Sequence, residues 1–413
     1  MKTDLAAGHP FSATTDVYNA ALDFVAAAAF DIDPNDGTTN AQIQIMSDTE
    51  NLSLSPNIEQ PVNFPYAPRP PRLDAIVTLT ESLAAARGPF GRARHWLMRQ
   101  KRYMRDARAY KEELITDALD RGLQRLSQGR SQKNCAVDFI LQREHDIAKK
   151  DSRVPEYKRR AIYDEVGLPY FTFLSFTDAV KLFGFIIGGH DAVSTTLLWG
   201  LKNLTDNPEC QKTLRTYLRQ AYSSAASERR NPSAEEIMKS HIFYLDAVIE
   251  EMLRTALTFP GSVRSALVNT TVLGYPIPKG TNVFLTQNGP GYLSPAIPIP
   301  KERRSESACN AKYSVGSWDP EDMKAFRPER WVKIEAGEKV FDPLAGPHLA
   351  FGLGHRGCFG RRLGYQNLRI SLVMLLWNFE FERCPEDLSS YQAVEKLSRQ
   401  PTQAFVRLRR VTW

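Results

Sequence analysis

The 413-residue sequence predicts a mainly α fold with a small β component towards its C-terminal half. Three observations carry that prediction. Apolar residues recur at helical spacing through most of the first 257 positions. Alternating β-formers around Gly and Pro begin only near residue 270. Finally, "LAFGLGHRGCFGRRLG" (349–364) is a glycine-rich loop that opens a long apolar-periodic run, "YQNLRISLVMLLWNFEF".

Each element has its own reason. The first forty residues read as one amphipathic helix, with "TTDVYNAALDFVAAAAF" starting at a Thr/Asp cap. Residues 47–73 are rich in Pro, Asn and Ser and read as an irregular connection. Helical patterns resume from Leu73 to Lys150 with a polar break at "SQGRSQKN", and again from Lys181 to Ala225. Asp206-Asn207-Pro208 divides that second block, since Pro tolerates only the first turn of a helix. "SAEEIMKSHIFYLDAVIEEMLRTAL" (233–257) opens with a Ser-x-x-Glu capping box and reads as one helix. "TTVLGYPIPKGTNVFLT" (270–286) predicts a hairpin, 287–348 mostly loop, and "TQAFVRLRRV" a terminal strand.

Composition narrows the function classes. A net charge of +6 is mild and asks for no nucleic acid. The basic run "RARHWLMRQKRYMRDARAYK" (92–111) reads as a solvated helix face. Five cysteines, widely spaced and without C-x-x-C, predict neither a disulfide framework nor a zinc site. No apolar run approaches the ~20 residues of a membrane helix, and the N-terminus lacks the regions of a signal peptide.

Cys358 has four readings. A small buried residue at a helix start is the plain one. A nucleophile is the second, since a helix N-terminus and Arg356 lower a thiol pKa, but it lacks a base with an orienter. A phosphate loop is the third: Gly352–Gly357 matches G-x-G-x-x-G, and Glu380 lies at the distance of a ribose-binding acid, but no strong strand precedes it. The fourth is an axial thiolate to haem iron. Glycine amides and the helix start would steady the anion. Arg356 would clamp a propionate, Gly360 leave room for the macrocycle, and Phe351 shield the sulfur. Only this reading uses every unusual residue of the loop.

At this point the sequence resembles the cytochrome P-450 superfamily of haem-thiolate monooxygenases. Phe351, Gly354, Arg356, Cys358 and Gly360 match its Phe-x-x-Gly-x-Arg-x-Cys-x-Gly signature. Glu251-Met252-Leu253-Arg254 matches Glu-x-x-Arg, "FRPERW" supplies Arg330, and "FGFIIGGHDAVSTTLLW" (183–199) is similar to the oxygen-binding helix. "GSWDPEDMKAFRPERW" and "NGPGYLSP" are similar to filamentous-fungal members.

The resemblance implies a haem cofactor with Cys358 as its iron ligand and Arg356 and Arg264 on the propionates. Glu251, Arg254 and Arg330 would form a buried ion-pair lock. On the distal helix, Asp191 would relay protons behind Gly188 and Gly189, whose missing side chains would let the helix open. The family's threonine is replaced by Ala192, so Ser194, Thr195, a water or a substrate hydroxyl would stand in; in another register Thr195 or Thr196 would face the haem. The implied partners are O2, a small organic substrate and an NADPH-cytochrome reductase docking near Arg361 and Arg362. The implied role is insertion of one oxygen atom, in fungal secondary metabolism.

The sequence departs from the pattern at two more places. The aromatic-rich "VGLPYFTFLSFTDAVK" (166–181) follows Asp164-Glu165 and reads as an insert, either a loop or an unspliced intron. The family's N-terminal quarter has no counterpart before Met1, which gives an N-terminally truncated single domain (1–413). A full-length parent would sit at the endoplasmic reticulum membrane, and the chain as written would be soluble and intracellular. A non-catalytic remnant of such an enzyme is the alternative; a dinucleotide-binding or thiol-nucleophile enzyme comes third.

Overall fold

The computed structural model describes residues 1–49, 52–82, 90–129, 133–157, 182–311 and 314–411. The expected insert at 166–181 and the Asp164–Glu165 pair lie outside them. The chain divides into two compact units, residues 1–194 with 395–397, and residues 195–394 with 398–413.

The first unit is helical. It holds α1 (Lys2–Ala6), the short strand β1 (Phe11–Ser12), α2 (Thr14–Phe30), α3 (Thr38–Ser47), α4 (Pro71–Ser82), α5 (Gly91–Arg99), α6 (Arg102–Ser127) and α7 (Ala136–Lys150). Leu22, Val25, Phe30, Ile76, Leu114, Ile115, Leu119 and Leu141 meet in its core. They recur at helical spacing on α2, α4, α6 and α7, which is why these helices pack face to face. The first forty residues are thus several elements rather than one helix. Ala7, at φ +48°, ends α1, and Asp31, at φ +57°, ends α2. α2 begins at Thr14 after Ala13, with no side-chain cap bond.

The chain between the units is α8 (Leu182–Asp206), which continues from the first unit into the second. It stops before Pro208, which opens α9 (Pro208–Ala221), as the Asp-Asn-Pro break required. α10 (Ser223–Ser227) and α11 (Ala234–Lys239) follow. The capping box forms, with Ser233 Oγ accepting from the Glu236 amide and Glu236 Oε2 from the Ser233 amide.

The 233–257 segment is nevertheless two helices, α11 and α12 (Phe243–Ala256), because Ser240 turns extended between them. The Arg369 guanidinium takes the freed carbonyls of Ile237 (3.1 Å) and Ser240 (2.6 Å), so a distant side chain satisfies the interrupted helix.

The β component is small. β2 (Gly261–Ser265) pairs antiparallel with β5 (Asn282–Thr286), with Arg264 opposite Val283. β3 (Thr270–Val272) and β4 (Tyr275–Ile277) form the expected hairpin. After α13 (Glu306–Ala311), β6 (Val332–Glu335) and β7 (Glu338–Phe341) form a second hairpin where loop was expected. Its two turn residues, Ala336 and Gly337, are both at positive φ, the geometry that joins twisted strands tightly. α14 (Arg361–Asn378) runs into β8 (Phe379–Glu382), which pairs with β11 (Phe405–Arg410), the predicted terminal strand. β9 (Ala393–Glu395) and β10 (Arg399–Pro401) lie between them in sequence. Among the described residues no helix is long and apolar enough to cross a membrane.

Candidate active site

The thiol sits on a turn that only glycine makes without strain. Gly352 and Gly354 are both at φ +63°. Residues Gly354–Arg356 form one 3-10 turn, closed by the Gly357 amide on the Gly354 carbonyl (2.9 Å). The Cys358 amide then reaches back to the Phe351 carbonyl (2.7 Å), which pins the sulfur-bearing residue to the start of the loop. Gly360 is the N-cap of α14. The Phe351 ring lies on α14: a Cβ at Gly364 would meet it at 3.3 Å, and the Tyr365 ring centroid is 5.0 Å away. The Arg361 guanidinium caps both rings at 5.9 and 5.5 Å.

Cys358 is exposed. Partial desolvation raises its thiol above the ordinary range, while the Gly360 amide and the Arg361 charge pull it down less strongly. Desolvation thus works against the thiolate that the second reading needs. A metal deprotonates a coordinating thiol outright, so the fourth reading is not affected. The donor set fits a porphyrin iron. It offers one accessible sulfur, and such an ion brings its other in-plane donors with it. The described residues hold no cluster of three or more His, Cys, Asp and Glu that would build a metal centre from protein ligands alone.

Glu251 on α12 is completely buried and accepts five donors. Oε1 takes Arg254 Nη2 (2.7 Å), the Arg327 amide (2.8 Å) and Arg330 Nε (3.1 Å). Oε2 takes Arg254 Nε (2.8 Å) and Trp331 Nε1 (2.9 Å). The i, i+3 spacing of Glu251 and Arg254 puts both on one helix face. Arg254 donates onward to the carbonyls of Met323 (2.7 Å) and Ala325 (2.9 Å), and Arg330 to Asp322 (2.8 Å). Glu251, Arg254 and Arg330 therefore meet. Sequence reasoning missed Trp331, the Arg327 amide and Asp322, which no motif marks.

A second buried carboxylate was also missed. Glu250, one residue earlier, accepts from the Tyr365 hydroxyl on α14, and His348 Nε2 lies 2.9 Å from its other oxygen. Its hydrogen bond to Tyr365 ties α12 to the helix that begins beside Cys358. The adjacent acids in "VIEEMLR" were its one visible signal. Arg264 lies exposed on β2, its guanidinium donating to the Val263 carbonyl (2.9 Å). Arg356 is exposed on the 3-10 turn.

On α8 the structure sorts the expected residues differently. Asp191 is buried, and its Oδ1 accepts from the Tyr18 hydroxyl of α2 (3.1 Å), a partner no sequence signal announced. Gly189 is not an opening. A Cβ there would meet the Val25 side chain of α2 at 2.8 Å, so this glycine lets two helices approach. Gly188 is the open position: among the described residues, nothing lies within 4 Å of a Cβ placed there.

Ser194 is buried on the same helix. Its hydroxyl is held by the carbonyls of His190 (2.6 Å) and Asp191 (3.1 Å) of its own helix and does not project as a donor. Thr195 Oγ1 bonds Ser398 Oγ (2.8 Å) and Thr196 Oγ1 bonds Thr258 Oγ1 (2.9 Å), which engages both alternatives to a residue-192 hydroxyl.

The chain is similar to known proteins. The family model described as Cytochrome P450 matches residues 173–289 and 319–407. Cytochrome P450 monooxygenase TRI13 of Fusarium sporotrichioides is 36% identical over 437 residues, covering 100% of this chain and 71% of that protein. The Hps1-dma1 cluster cytochrome P450 monooxygenase cyp3.1 of Dothistroma septosporum is 35% identical over 300 residues, covering 69% of this chain and 90% of that one. Among solved structures, the cytochrome P450DA heme domain aligns with a TM-score of 0.57 at 16% identity, over 98% of this chain and 69% of that one, a likeness of fold.

Proposed function

Because this chain belongs to the cytochrome P450 family, we propose that residues 1–413 act as one haem-dependent monooxygenase domain inserting an oxygen atom from O2 into a small organic substrate. The observation that carries the reading is Cys358, presented at the mouth of a glycine turn at the head of α14 with the Gly360 amide beside it. Relatives at this identity are named monooxygenases, one from a gene cluster, which supports fungal secondary metabolism and does not favour a non-catalytic remnant.

Haem, held by the Cys358 sulfur, would supply the O2 chemistry that side chains lack. The protein's part is to hold and to deliver protons. Arg356 and Arg264 would pair with the propionates, and the Glu251–Arg254–Arg330 lock fixes the 322–331 segment on α12. Tyr18 orients the Asp191 carboxylate, which would hold the proton to be relayed. Ala192 has no donor and the Ser194 hydroxyl is turned back on its helix, so a water or a substrate hydroxyl completes the relay. Electrons arrive from an NADPH-cytochrome reductase on the face that carries Phe359, Arg361 and Arg362, where the exposed arginines would meet an acidic partner. A full-length parent would hold the domain at the endoplasmic reticulum membrane.

The test is the reduced, carbonyl-treated spectrum of the expressed chain with its haem content. We expect a thiolate-haem band and its disappearance in Cys358→Ser. A pigment unchanged by that substitution overturns the assignment.

A further inference from the structure

The loop that carries Cys358 runs over residues 349–364, and the residues immediately outside it, His348 and Tyr365, meet on one carboxylate. That carboxylate is Glu250 of α12, 6% exposed. Its Oε1 accepts from the Tyr365 hydroxyl, and His348 Nε2 lies 2.9 Å from its Oε2. The second contact is at ion-pair distance without hydrogen-bond alignment. Both of its atoms are sealed from solvent, and among the described residues neither makes a hydrogen bond elsewhere. A buried carboxylate is costly unless its oxygens are engaged. Glu251 holds the 322–331 segment; what Glu250 touches is the two ends of the thiol-bearing loop.

Each end is fixed in turn. The His348 imidazole packs edge-to-face on Trp331 (5.4 Å between centroids, 80°), whose indole N–H donates to Glu251. The Tyr365 ring lies 5.0 Å from the Phe351 ring, and the Phe351 carbonyl accepts the Cys358 amide. A short path therefore leads from the Glu250 carboxylate through the Tyr365 hydroxyl and ring to Phe351 and the backbone of Cys358. Burial, then the Glu250 charge, raise the Tyr365 phenol above its usual range, so it keeps its proton and remains the donor. Pinning both ends of a loop removes much of the freedom its middle would otherwise have.

We infer that Glu250 is a positioning residue for the Cys358 sulfur, a buried clamp on both ends of the 349–364 loop that holds the turn in one geometry for the iron. The inference rests on the haem-thiolate reading above. Groups that orient a metal-binding side chain from behind change metal retention by about 10–100-fold when removed.

The experiment compares the expressed chain with Tyr365→Phe, which releases one end of the clamp, by two measurements. Hydrogen exchange followed by mass spectrometry over peptides of 349–364 reads the loop itself, and we expect exchange there about tenfold faster. Haem transfer to apomyoglobin, with the reduced, carbonyl-treated spectrum, reads the sulfur; we expect transfer about tenfold faster and a diminished thiolate band. Glu250→Gln still offers an acceptor to Tyr365 and an amide to His348, and is expected to stay within about threefold of the parent in both. Gly122→Ala is the control for lost stability alone, since a Cβ there would lie 2.6 Å from Leu141 Cδ1 in the first unit; it is expected to change neither measurement. Unchanged loop exchange in Tyr365→Phe overturns the inference and leaves the haem reading standing. So does faster exchange with unaltered haem retention, or a Gly122→Ala effect as large as that of Tyr365→Phe, since either makes Glu250 a general support of the fold. A parent chain without a thiolate-haem band overturns the haem reading, and the inference with it.

Discussion

Replacing Glu251 by glutamine removes one charge and one acceptor from a site that is wholly shielded from solvent. Whichever way the amide turns, its NH2 group faces donors: Arg254 Nε and Trp331 Nε1 at one oxygen's place, or Arg254 Nη2, the Arg327 amide and Arg330 Nε at the other. The two guanidiniums also lose their shared anion. Breaking a buried pair in this way costs about 3–5 kcal/mol.

The carbonyls of Met323 and Ala325 still receive Arg254, and Asp322 still receives Arg330, which keeps the expected loss inside that range rather than above it. For a cooperative unit of the size that holds Glu251, this lowers the melting midpoint by roughly 6–20 °C. Chemical denaturation of both proteins, followed by tryptophan fluorescence, reads the difference directly. A loss below about 1 kcal/mol would mean that the carbonyls alone satisfy the arginines, and the network would not be what holds β6, β7 and α12 together.

Three further outcomes follow from single contacts. Ala192→Thr restores a hydroxyl on α8 and is expected to release less hydrogen peroxide per NADPH consumed than the parent; equal coupling would place residue 192 away from the oxygen site. Gly189→Ala is expected to destabilise by about 1–3 kcal/mol through its clash with Val25, whereas Gly188→Ala, with open space around it, should gain helix propensity of up to about 1 kcal/mol in thermal unfolding. The Arg230 side chain, then the Ser233 amide, pull the Glu236 carboxyl down to about 2. A depressed carboxylate adds stability that is complete above its unfolded value near 4.5 and is lost as pH falls towards about 2. Glu236→Gln should therefore flatten that part of the acid unfolding curve.

Much of the helical frame was legible because period and punctuation are local. The apolar spacing of α2 and of α14, the Pro208 break and the Ser233 capping box all act within a few residues. The glycine loop was legible for the same reason, since positive φ and a lone thiol are written in neighbouring positions. The β6–β7 hairpin was hidden because its alternation is short and sits in a Pro-rich tract. The break at Ser240 was hidden because an arginine 129 residues away pays for it.

By itself the sequence determined the mainly α class, the thiol at the head of α14 and the four ordered motifs, because each is carried by residues adjacent along the chain. Only the tertiary structure decided what those residues meet. It placed Tyr18 on Asp191, Val25 against Gly189, the Ser194 hydroxyl on its own helix, Trp331 on Glu251, and Trp96 and Leu97 in solvent. Side-chain partners of this kind are chosen by packing between segments far apart in sequence, and no local pattern encodes which distant atom will arrive within 3 Å.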